Sequence, residues 1–536
     1  MASLNWLCLG FPLICPPQCR AGAPCSAQQS EMLDRLLVLI RRFVSASPLD
    51  GSTLGRSFEK FQGMADMIAK LPAALDPLSP GTSALLAATR VGLDPYTKQP
   101  SRATDRAAAP ERPRPDTNLA AWREEAPEPV LPSSSLVHLP APRGLSCKPV
   151  VADRIKWEYA PTFQPEAYLT NPLTRAAFRD PEVLRTATPV AAGRPARVHC
   201  SRVELLKLAA KWDARHALAL VPCDEVHADE AVGLFGVPKD QDWDRLILNP
   251  STINSRMATV SVATRSLAPG SSLVQLPLGR RQYLRFCSDD LSEYYYTFRV
   301  SYERAKRNCV GVKFRPEELC GFSCFDPSKH SRPCYVALAA LAMGDSLAVE
   351  LAQEAHANLL SQRAGAMLGS ERLLYRAPCP RGPFWELLAV DDHVGVQACS
   401  LQELKSGAPL RDTAVFAASE KAYAHAGLVQ HPRKRQRNVT SGVFLGADIC
   451  GITGLVSAPR QRIAVLMMCT LMVARRGCCT PSLLSTILGC WVHVLLFRRP
   501  AFCVLNTAFH DAQRTPPDTV IALARHTLNE LAAVAT

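Results

Sequence analysis

Apolar and polar positions alternate with two different periods along the chain, and each period predicts a different structure. Within residues 1–100, apolar side chains recur every three or four positions in Glu31–Val44 and again in Phe58–Leu71, which predicts two amphipathic helices. They form either a small helical unit or a partner-binding arm. Prolines are dense through residues 101–150, which predicts an extended, disordered linker.

From about residue 150, short apolar runs of strand length alternate with helical segments, which predicts an α+β fold. Strands are expected at His216–Pro222, Ala231–Val237, Arg245–Leu248, Tyr283–Ser288, Phe384–Val390, Val394–Gln397 and Val443–Ile449. Helices are expected at Arg202–Trp212, Asp345–Leu360 and Phe416–Leu428. The second helix carries Leu347, Leu351, Ala355 and Leu359 on one face. The region after residue 455 is expected to be mostly helical, with Ile463–Val473 a buried helix.

Composition narrows the class of protein. The chain has 536 residues and a formal net charge of +13, which favours an acidic partner such as nucleic acid or an anionic membrane surface. The 20 cysteines are too sparse for a disulfide scaffold and indicate an intracellular protein of the cytoplasm or nucleus. The longest apolar runs, Ile463–Val473 and Leu483–Phe497, fall short of the roughly 18–20 residues of a membrane span. No membrane association is therefore expected.

Two of the expected strands end in paired aspartates. Tyr283–Ser288 runs into Asp289-Asp290, and Phe384–Val390 runs into Asp391-Asp392. Like charges a few ångström apart repel, so neighbouring carboxylates favour a divalent cation such as Mg²⁺, which prefers oxygen ligands. Two such ions can clamp the attacking and leaving oxygens of a phosphoryl displacement. Taken alone, the pairs are better explained by two unrelated, solvated acidic turns.

Further segments, in chain order, resemble the palm motifs of the reverse transcriptases of retroelements and retroviruses. In the first, Asp290 is followed five positions later by the aromatic Tyr295. The resemblance implies that Asp290, rather than Asp289, is the metal ligand. It also implies that Tyr295 lies under the sugar and excludes a 2′-hydroxyl, so that the substrates are deoxynucleotides.

Two more palm motifs follow. Met343-Gly344 precedes Gln353 by the family's spacing of nine residues from the glycine. The resemblance implies that Gly344 permits close approach to the nucleotide or template, and that Gln353 faces the template. Asp391-Asp392 is similar to the family's aspartate-pair hairpin. It implies that Asp290, Asp391 and Asp392 together bind Mg²⁺, or Mn²⁺ in its place.

The remaining motifs would complete a polymerase site. Lys434 is similar to the lysine proposed in the family to protonate the pyrophosphate leaving group. Leu445-Gly446 resembles the short hairpin that grips the primer end. Upstream, Arg245 is similar to the arginine of the fingers strand, and Lys239 is a second, weaker candidate for triphosphate binding.

The resemblance spans roughly residues 195–510 and implies a right-hand polymerase fold. After the helical region 1–100 and the linker 101–150, fingers would occupy 151–265, the palm 266–455 and a helical thumb 456–536. The implied function is reverse transcription by a retrotransposon-type enzyme, with an RNA or DNA template, a primer and dNTPs as partners. No RNase H, protease or integrase pattern is recognised in the rest of the sequence.

Departures from the family pattern keep a second interpretation open. Ala389 stands where many members carry an aromatic residue, and Met343 stands where retroviral enzymes carry glutamine. None of the departures removes a metal ligand. The alternative function is a catalytically decayed or domesticated protein of this family that binds nucleic acid or a protein partner.

Two other motifs have a functional and a simpler interpretation. Cys320, Cys324, His330 and Cys334 have spacing near that of a zinc knuckle, but the intervals differ, and a loop with incidental cysteines is the better explanation. The basic segment 431–437, which contains Lys434, also fits a nuclear-import signal or a patch that contacts a phosphate backbone.

Overall fold

The computed structural model describes Met64, Met67 and Ile68, residues 147–186, and residues 197–535. Two compact units divide the chain: Leu145–Pro459, here called the sheet unit, and Met1–Gly144 together with Arg460–Thr536, here called the helical unit. The expected helix Glu31–Val44, most of Phe58–Leu71 and the linker up to residue 146 lie outside the described residues.

The strands are β1 (Leu218–Pro222), β2 (Gly233–Pro238), β3 (Asp244–Asn249), β4 (Tyr283–Asp290), β5 (Cys309–Phe314), β6 (Cys334–Leu338), β7 (Phe384–Ala389), β8 (Asp392–Cys399), β9 (Gln436–Val439), β10 (Ser441–Phe444), β11 (Ala447–Cys450), β12 (Leu455–Ser457), β13 (Cys478–Cys479) and β14 (Ile521–Ala522).

The α-helices are α1 (Pro172–Arg179), α2 (Arg202–Asp213), α3 (Ser251–Asn254), α4 (Tyr294–Thr297), α5 (Tyr302–Lys306), α6 (Pro316–Leu319), α7 (Ala348–Ala364), α8 (Leu401–Ser406), α9 (Arg411–His425), α10 (Arg460–Arg476), α11 (Pro481–Leu495), α12 (Thr507–Asp511) and α13 (Arg525–Ala535). Short 3₁₀ helices lie at Ala152–Arg154, Pro165–Tyr168, Pro181–Leu184, Ala228–Glu230, Ala263–Ser266, Gly270–Gln275 and Leu496–Val504.

An antiparallel sheet of four strands, in the order β7-β8-β4-β9, lies at the centre of the sheet unit. Strands β7 and β8 form a hairpin, and β4 pairs along the whole of β8, with Asp290 opposite Asp392. Helices α7 and α9 belong to the same hydrophobic core as this sheet. A buried bidentate ion pair between Arg285 of β4 and Asp412 of α9, at 2.6–2.7 Å, joins the sheet to its covering helix.

The observed helices and strands agree with most of the elements expected from the sequence. Two regions differ from the expectation. Val443–Ile449 is not one strand, because Leu445 and Gly446 both have positive φ, at 47° and 77°, and fold it into the β10–β11 hairpin. The end of the expected linker is also ordered. Lys148 pairs with Gly236 beside β2, and Val150 is buried in the core.

The described part of the helical unit has an apolar core of its own. Helices α10, α11 and α13 supply most of it, including Leu466, Ile487 and Leu531. Trp491 donates its indole N–H to Thr470 Oγ1 at 2.8 Å, so the polar atom of this buried ring has a partner. The expected buried helix at 463–473 therefore lies within α10.

One helical segment in the described residues, Pro481–Val504, is long and apolar enough by length and composition alone to cross a membrane. The backbone kinks at Arg498, inside the 3₁₀ helix Leu496–Val504, and Pro500 follows two residues later, so this segment is not one straight helix. A buried helix of a globular core passes the same test, so the segment is weak evidence for a membrane span. The expected intracellular location stays a prediction.

Candidate active site

The turn between β7 and β8 brings the three candidate carboxylates to one end of the central sheet. Asp391 lies in the turn, and Asp392 begins β8 directly opposite Asp290, the last residue of β4. The Leu291 N–H donates to the Asp391 carbonyl at 3.1 Å, which ties the turn to the end of β4. We call Val390–Asp392 the carboxylate turn.

The adjacent Asp289 and Asp290 have different surroundings, because successive side chains of a strand point to opposite faces. The Asp289 side chain is fully buried and accepts two hydrogen bonds from Arg437, at 2.8 and 3.1 Å. The Asp290 side chain lies on the other face and accepts from Lys434 Nζ at 2.5 Å. Asp290 is thus the one that shares a site with Asp391 and Asp392.

Negative charge is concentrated at the carboxylate turn. Burial, followed by the charge of Asp290, raises the pKa of Asp391 to about 6, against the opposing charges of Lys434 and Arg245. Burial and the charges of Asp391 and Asp290 raise the pKa of Asp392 to about 7. Nearby like charges and desolvation both disfavour ionised carboxylates, so the positive charges near the group compensate it only in part.

The chemistry of these donors fits a hard divalent cation, since three carboxylates supply only oxygen ligands and an excess of negative charge. The spacing is not yet that of a formed metal site. Among the described residues, no three His, Cys, Asp or Glu side chains are grouped closely enough to hold a metal ion. The expectation of Mg²⁺ or Mn²⁺ therefore stays a prediction supported by charge and donor type.

Basic side chains from separate segments lie around these carboxylates. Burial lowers the pKa of Lys239, and the positive charges of Arg245, Lys156 and Lys434 lower it further. We call Lys239, Arg245, Lys156 and Lys434 the cation cluster, because the last three all lie within electrostatic range of Lys239. Arg245 is exposed and makes no ion pair or side-chain hydrogen bond among the described residues. Such a cluster suits a polyanion such as a triphosphate.

Arg245 reaches the site because its strand is attached to the central part of the unit. The Tyr296 hydroxyl donates to the Leu246 carbonyl at 3.0 Å, and the Leu248 N–H donates to the Met343 carbonyl at 3.2 Å. The neighbouring Tyr295 is close enough to Asp391 for burial and that charge to raise its pKa to about 12. Tyr295 and Arg245 thus lie near the carboxylate turn, and their roles toward a nucleotide stay predictions.

Gly344 packs closely against Leu248 of the neighbouring strand β3. Its φ is +120°, and an added Cβ would lie 2.1 Å from the Leu248 carbonyl oxygen, so a side chain is excluded. The Gly344 carbonyl accepts from Asn254 Nδ2 at 2.9 Å. The glycine therefore allows the loop at Met343 to pack against β3, and its expected approach to a nucleotide or template stays a prediction.

Gln353 does not have the expected position facing a template. Its side chain is fully buried on α7, where Oε1 accepts from the Val390 N–H at 2.8 Å. Its Nε2 donates to the Leu388 carbonyl at 3.2 Å. Gln353 therefore supports the carboxylate turn from beneath, and its buried side chain corrects the expectation that it faces a template.

The other candidates are placed as follows. Leu445 and Gly446 form the tip of the β10–β11 hairpin, and Phe444 stacks on Phe286 of β4 with ring centroids 5.0 Å apart. Phe286 is four residues before Asp290, about 13 Å along the strand. The hairpin therefore flanks the same strand that carries Asp290, and its role as a primer grip stays a prediction.

The structure does not assemble the zinc candidates. Cys320 is exposed, while Cys334 is buried in β6. His330 Nδ1 accepts from the Asp326 N–H at 2.9 Å and so has a local partner. None of these side chains belongs to a metal-binding group within the described ranges, which favours the interpretation as incidental cysteines.

Some residues at the site carried no signal in the sequence. Lys156 belongs to the cation cluster but lies in a segment without a recognisable motif. His431 donates its backbone N–H to the Asp290 carbonyl at 2.7 Å. Beneath the turn, His356, Tyr423 and Glu386 are fully or nearly fully buried polar side chains. Only unusual polar residues within otherwise apolar segments could have indicated them.

Comparison with known proteins gives structural neighbours alone. No protein family and no curated protein match the sequence. A solved foamy viral protease-reverse transcriptase in complex with double-stranded DNA is similar over 69 % of this chain and 58 % of that chain, at 12 % identity and a TM-score of 0.40. A foamy viral protease-reverse transcriptase with an RNA/DNA hybrid is similar over 66 % and 39 % of the two chains, at 13 % identity and a TM-score of 0.39.

These neighbours are reverse transcriptases, and this chain has a mixed helix and sheet architecture as the sequence predicts. The matched part is only 58 % of the first neighbour's chain. At TM-scores near 0.4 the similarity is not a basis for assigning function, which is inferred below from the geometry of the site.

Proposed function

We propose that the protein is a template-directed DNA polymerase that transfers a nucleotide from a dNTP to a primer 3′-hydroxyl. The observation that carries the proposal is the joint placement of Asp290, Asp391 and Asp392 beside the cation cluster. Phosphoryl transfer requires carboxylates that bind metal cations and, next to them, basic groups that bind phosphates.

In this function the three carboxylates would hold Mg²⁺, which supplies neutralising charge when bound. Arg245, Lys239 and Lys156 bind the triphosphate of the dNTP. The primer 3′-hydroxyl releases its proton to solvent as its oxygen forms a bond to the α-phosphorus, and the bond from that phosphorus to the pyrophosphate oxygen breaks. The exposed side chain of Lys434, which pairs with Asp290, moves to the leaving group in this function and donates a proton to it.

The remaining residues shape what the site accepts. Tyr295 lies beside Asp391, where a phenol ring would leave no room for a ribose 2′-hydroxyl. Template sequence is recognised by base pairing, so the protein needs to bind only the backbone of the duplex. The excess of basic residues, +13 overall, supports that binding. The division into fingers, palm and thumb belongs to this proposal.

Primer extension tests the proposal. The full chain is assayed on poly(rA)/oligo(dT) with Mg²⁺ or Mn²⁺, beside Asp391→Asn. Asp153→Asn is the matched control, because Asp153 is a highly exposed aspartate of the same unit with a side chain 79 % accessible. We expect extension by the wild type and the control and its loss in Asp391→Asn. Equal extension by all three would overturn the assignment of the site.

One observation favours the alternative, a protein that binds nucleic acid without catalysis. Lys434 already pairs with Asp290, and the carboxylates are not grouped as a metal site among the described residues. A decayed site would keep such pairs and would still bind a template through its basic surface. Template binding by wild type with no extension in either metal would favour this function over polymerisation.

A further inference from the structure

A continuous chain of buried polar side chains lies beneath the carboxylate turn. His356 Nδ1 of α7 contacts the Val390 carbonyl at 2.7 Å, and its Nε2 contacts the Tyr423 hydroxyl at 2.9 Å. That hydroxyl is 3.3 Å from His393 Nδ1, and His393 Nε2 is 3.0 Å from Glu386 Oε1. All four side chains are between 0 and 1 % exposed. We call His356, Tyr423, His393 and Glu386 the buried polar chain.

Hydrogen-bond counting assigns the protons of this chain. The Val390 carbonyl can only accept, so His356 Nδ1 carries a proton, and burial lowers the pKa of His356 to about 3, which keeps its Nε2 unprotonated. The Tyr423 hydroxyl therefore donates to His356 Nε2 and accepts from His393 Nδ1. One proton lies between His393 Nε2 and Glu386 Oε1. Every donor then has an acceptor.

The chain ends on a backbone position that needs support. Val390 has φ +59°, a left-handed conformation that is strained for a β-branched residue. Both polar groups of Val390 are held from below, the N–H by Gln353 and the carbonyl by His356. Asp391 and Asp392 follow directly. Their direction therefore depends on how firmly Val390 is held.

We propose that His356 and Tyr423 are positioning residues that fix the carboxylate turn and so set the aim of Asp391 and Asp392. The proposal rests on the proposed function for its consequence in activity, but the fixing of the turn is a property of the fold. The far end of the chain is anchored independently, because Glu386 Oε2 accepts from the Met367 N–H at 2.6 Å. The buried polar chain thus connects the turn to a fixed point in the core.

Two substitutions of one residue separate positioning from packing. In His356→Asn the amide nitrogen can replace Nδ1 and keep the bond to the Val390 carbonyl. In His356→Gln the amide reaches the position of Nε2, keeps the Tyr423 contact and loses the bond to Val390. Tyr423→Phe removes the hydroxyl alone. Tyr335→Phe is the matched control, because Tyr335 is equally buried in β6 of another sheet.

The first readout is the Mg²⁺ concentration that gives half-maximal primer extension. We expect His356→Gln and Tyr423→Phe to raise this Mg²⁺ concentration about 10-fold, because losing groups that orient metal ligands weakens metal binding. We expect His356→Asn and Tyr335→Phe to stay near the wild-type value. Thermal unfolding confirms that each variant is folded. Equal effects of His356→Asn and His356→Gln would overturn the proposal, because packing alone would then explain them.

The second readout is hydrogen exchange of the segment 385–395, followed by mass spectrometry, which does not depend on activity. We expect faster exchange in His356→Gln and Tyr423→Phe than in His356→Asn and Tyr335→Phe. If the wild type extends no primer, the proposed function fails, and exchange alone still decides whether the chain fixes the turn. Unchanged exchange in Tyr423→Phe and His356→Gln would overturn the proposal.

Discussion

The two sides of the carboxylate turn are built on opposite principles. On the outer side, Asp391 and Asp392 lie beside Asp290, and burial and neighbouring carboxylates raise the pKa values of both. On the inner side, the buried polar chain and Gln353 match each polar atom to a partner. The inner side, where the polar atoms are hydrogen-bonded, holds the backbone of the turn. The outer side, where negative charge is only partly compensated, is the one suited to a ligand.

This difference shows how the fold can hold a group of carboxylates in a position to bind a ligand. Excess negative charge is costly in a partly buried place, and the strained backbone at Val390 adds to that cost. Saturated hydrogen bonding below the turn offsets both, since a fully satisfied buried network is rigid. Function on the outer side therefore depends on residues that no substrate touches.

The largest expected effect separates the two adjacent aspartates of β4. We expect Asp290→Asn to lower primer extension by about 10²–10³-fold with little change in stability, because Asp290 faces the site. Asp289→Asn should instead destabilise the fold by about 2 kcal/mol, because it leaves Arg437 without its buried partner. Extension assays and urea unfolding of both variants measure this. Similar profiles for the two variants would contradict the assignment.

The next largest effect tests whether the buried polar side chains on the inner side of the turn depend on one another as partners. Glu386→Gln removes the carboxylate that faces His393 in a fully buried place, so we expect a loss of about 3 kcal/mol in the free energy of unfolding. Glu403→Gln is the control, since Glu403 lies in an exposed capping box at α8, and we expect a loss below about 1 kcal/mol. Equal losses in urea unfolding would show that the buried pair is not special.

A smaller effect sharpens the account of the outer side. We expect Arg245→Gln and Lys239→Gln each to raise the KM for dNTP about 10-fold, since each removes one charge from the cation cluster. The exposed Arg215→Gln is a control for lost positive charge elsewhere. Steady-state primer extension at varied dNTP provides the measurement. A KM unchanged in both variants would exclude the cluster as the triphosphate site.

The smallest effect is on stability against pH, in the presence of a chelator. The pKa of Asp391 is raised to about 6 from 3.8, so between those values the folded state keeps a proton that the unfolded state loses. The stability from that proton is present below about pH 4 and is lost as pH rises toward 6. Asp391→Asn lacks this charge. Its melting temperature should be about 2–4 °C above that of the wild type at pH 8 and the same as that of the wild type at pH 4.

Added Mg²⁺ should reduce that difference at pH 8, because only the wild-type carboxylate gains from the cation. Differential scanning fluorimetry at both pH values, with chelator and with Mg²⁺, gives the comparison. A wild type that is more stable than Asp391→Asn at pH 8 in chelator would mean that Asp391 already has a compensating charge.

Local patterns sufficed for much of the sheet unit. The strands that carry Arg245 and Asp290, and the β7–β8 hairpin, were predictable because apolar runs of strand length end in polar residues. Helix α7 was predictable from Leu351, Ala355 and Leu359. The hairpin at Leu445-Gly446 was recognisable as a motif, although its strand bounds were not, since they depend on two residues with positive φ.

Which residues are candidates for the chemistry follows from the sequence alone, because carboxylates and cations are chemical types that can be read in order along a chain. Only the tertiary structure decided which of them meet. It placed Asp289 in the core and Asp290 at the site, buried Gln353 beneath Val390, and gave His356 a partner on each ring nitrogen. A polar side chain on a helix looks solvent-facing in the sequence, and it can be buried only where distant segments supply its hydrogen bonds.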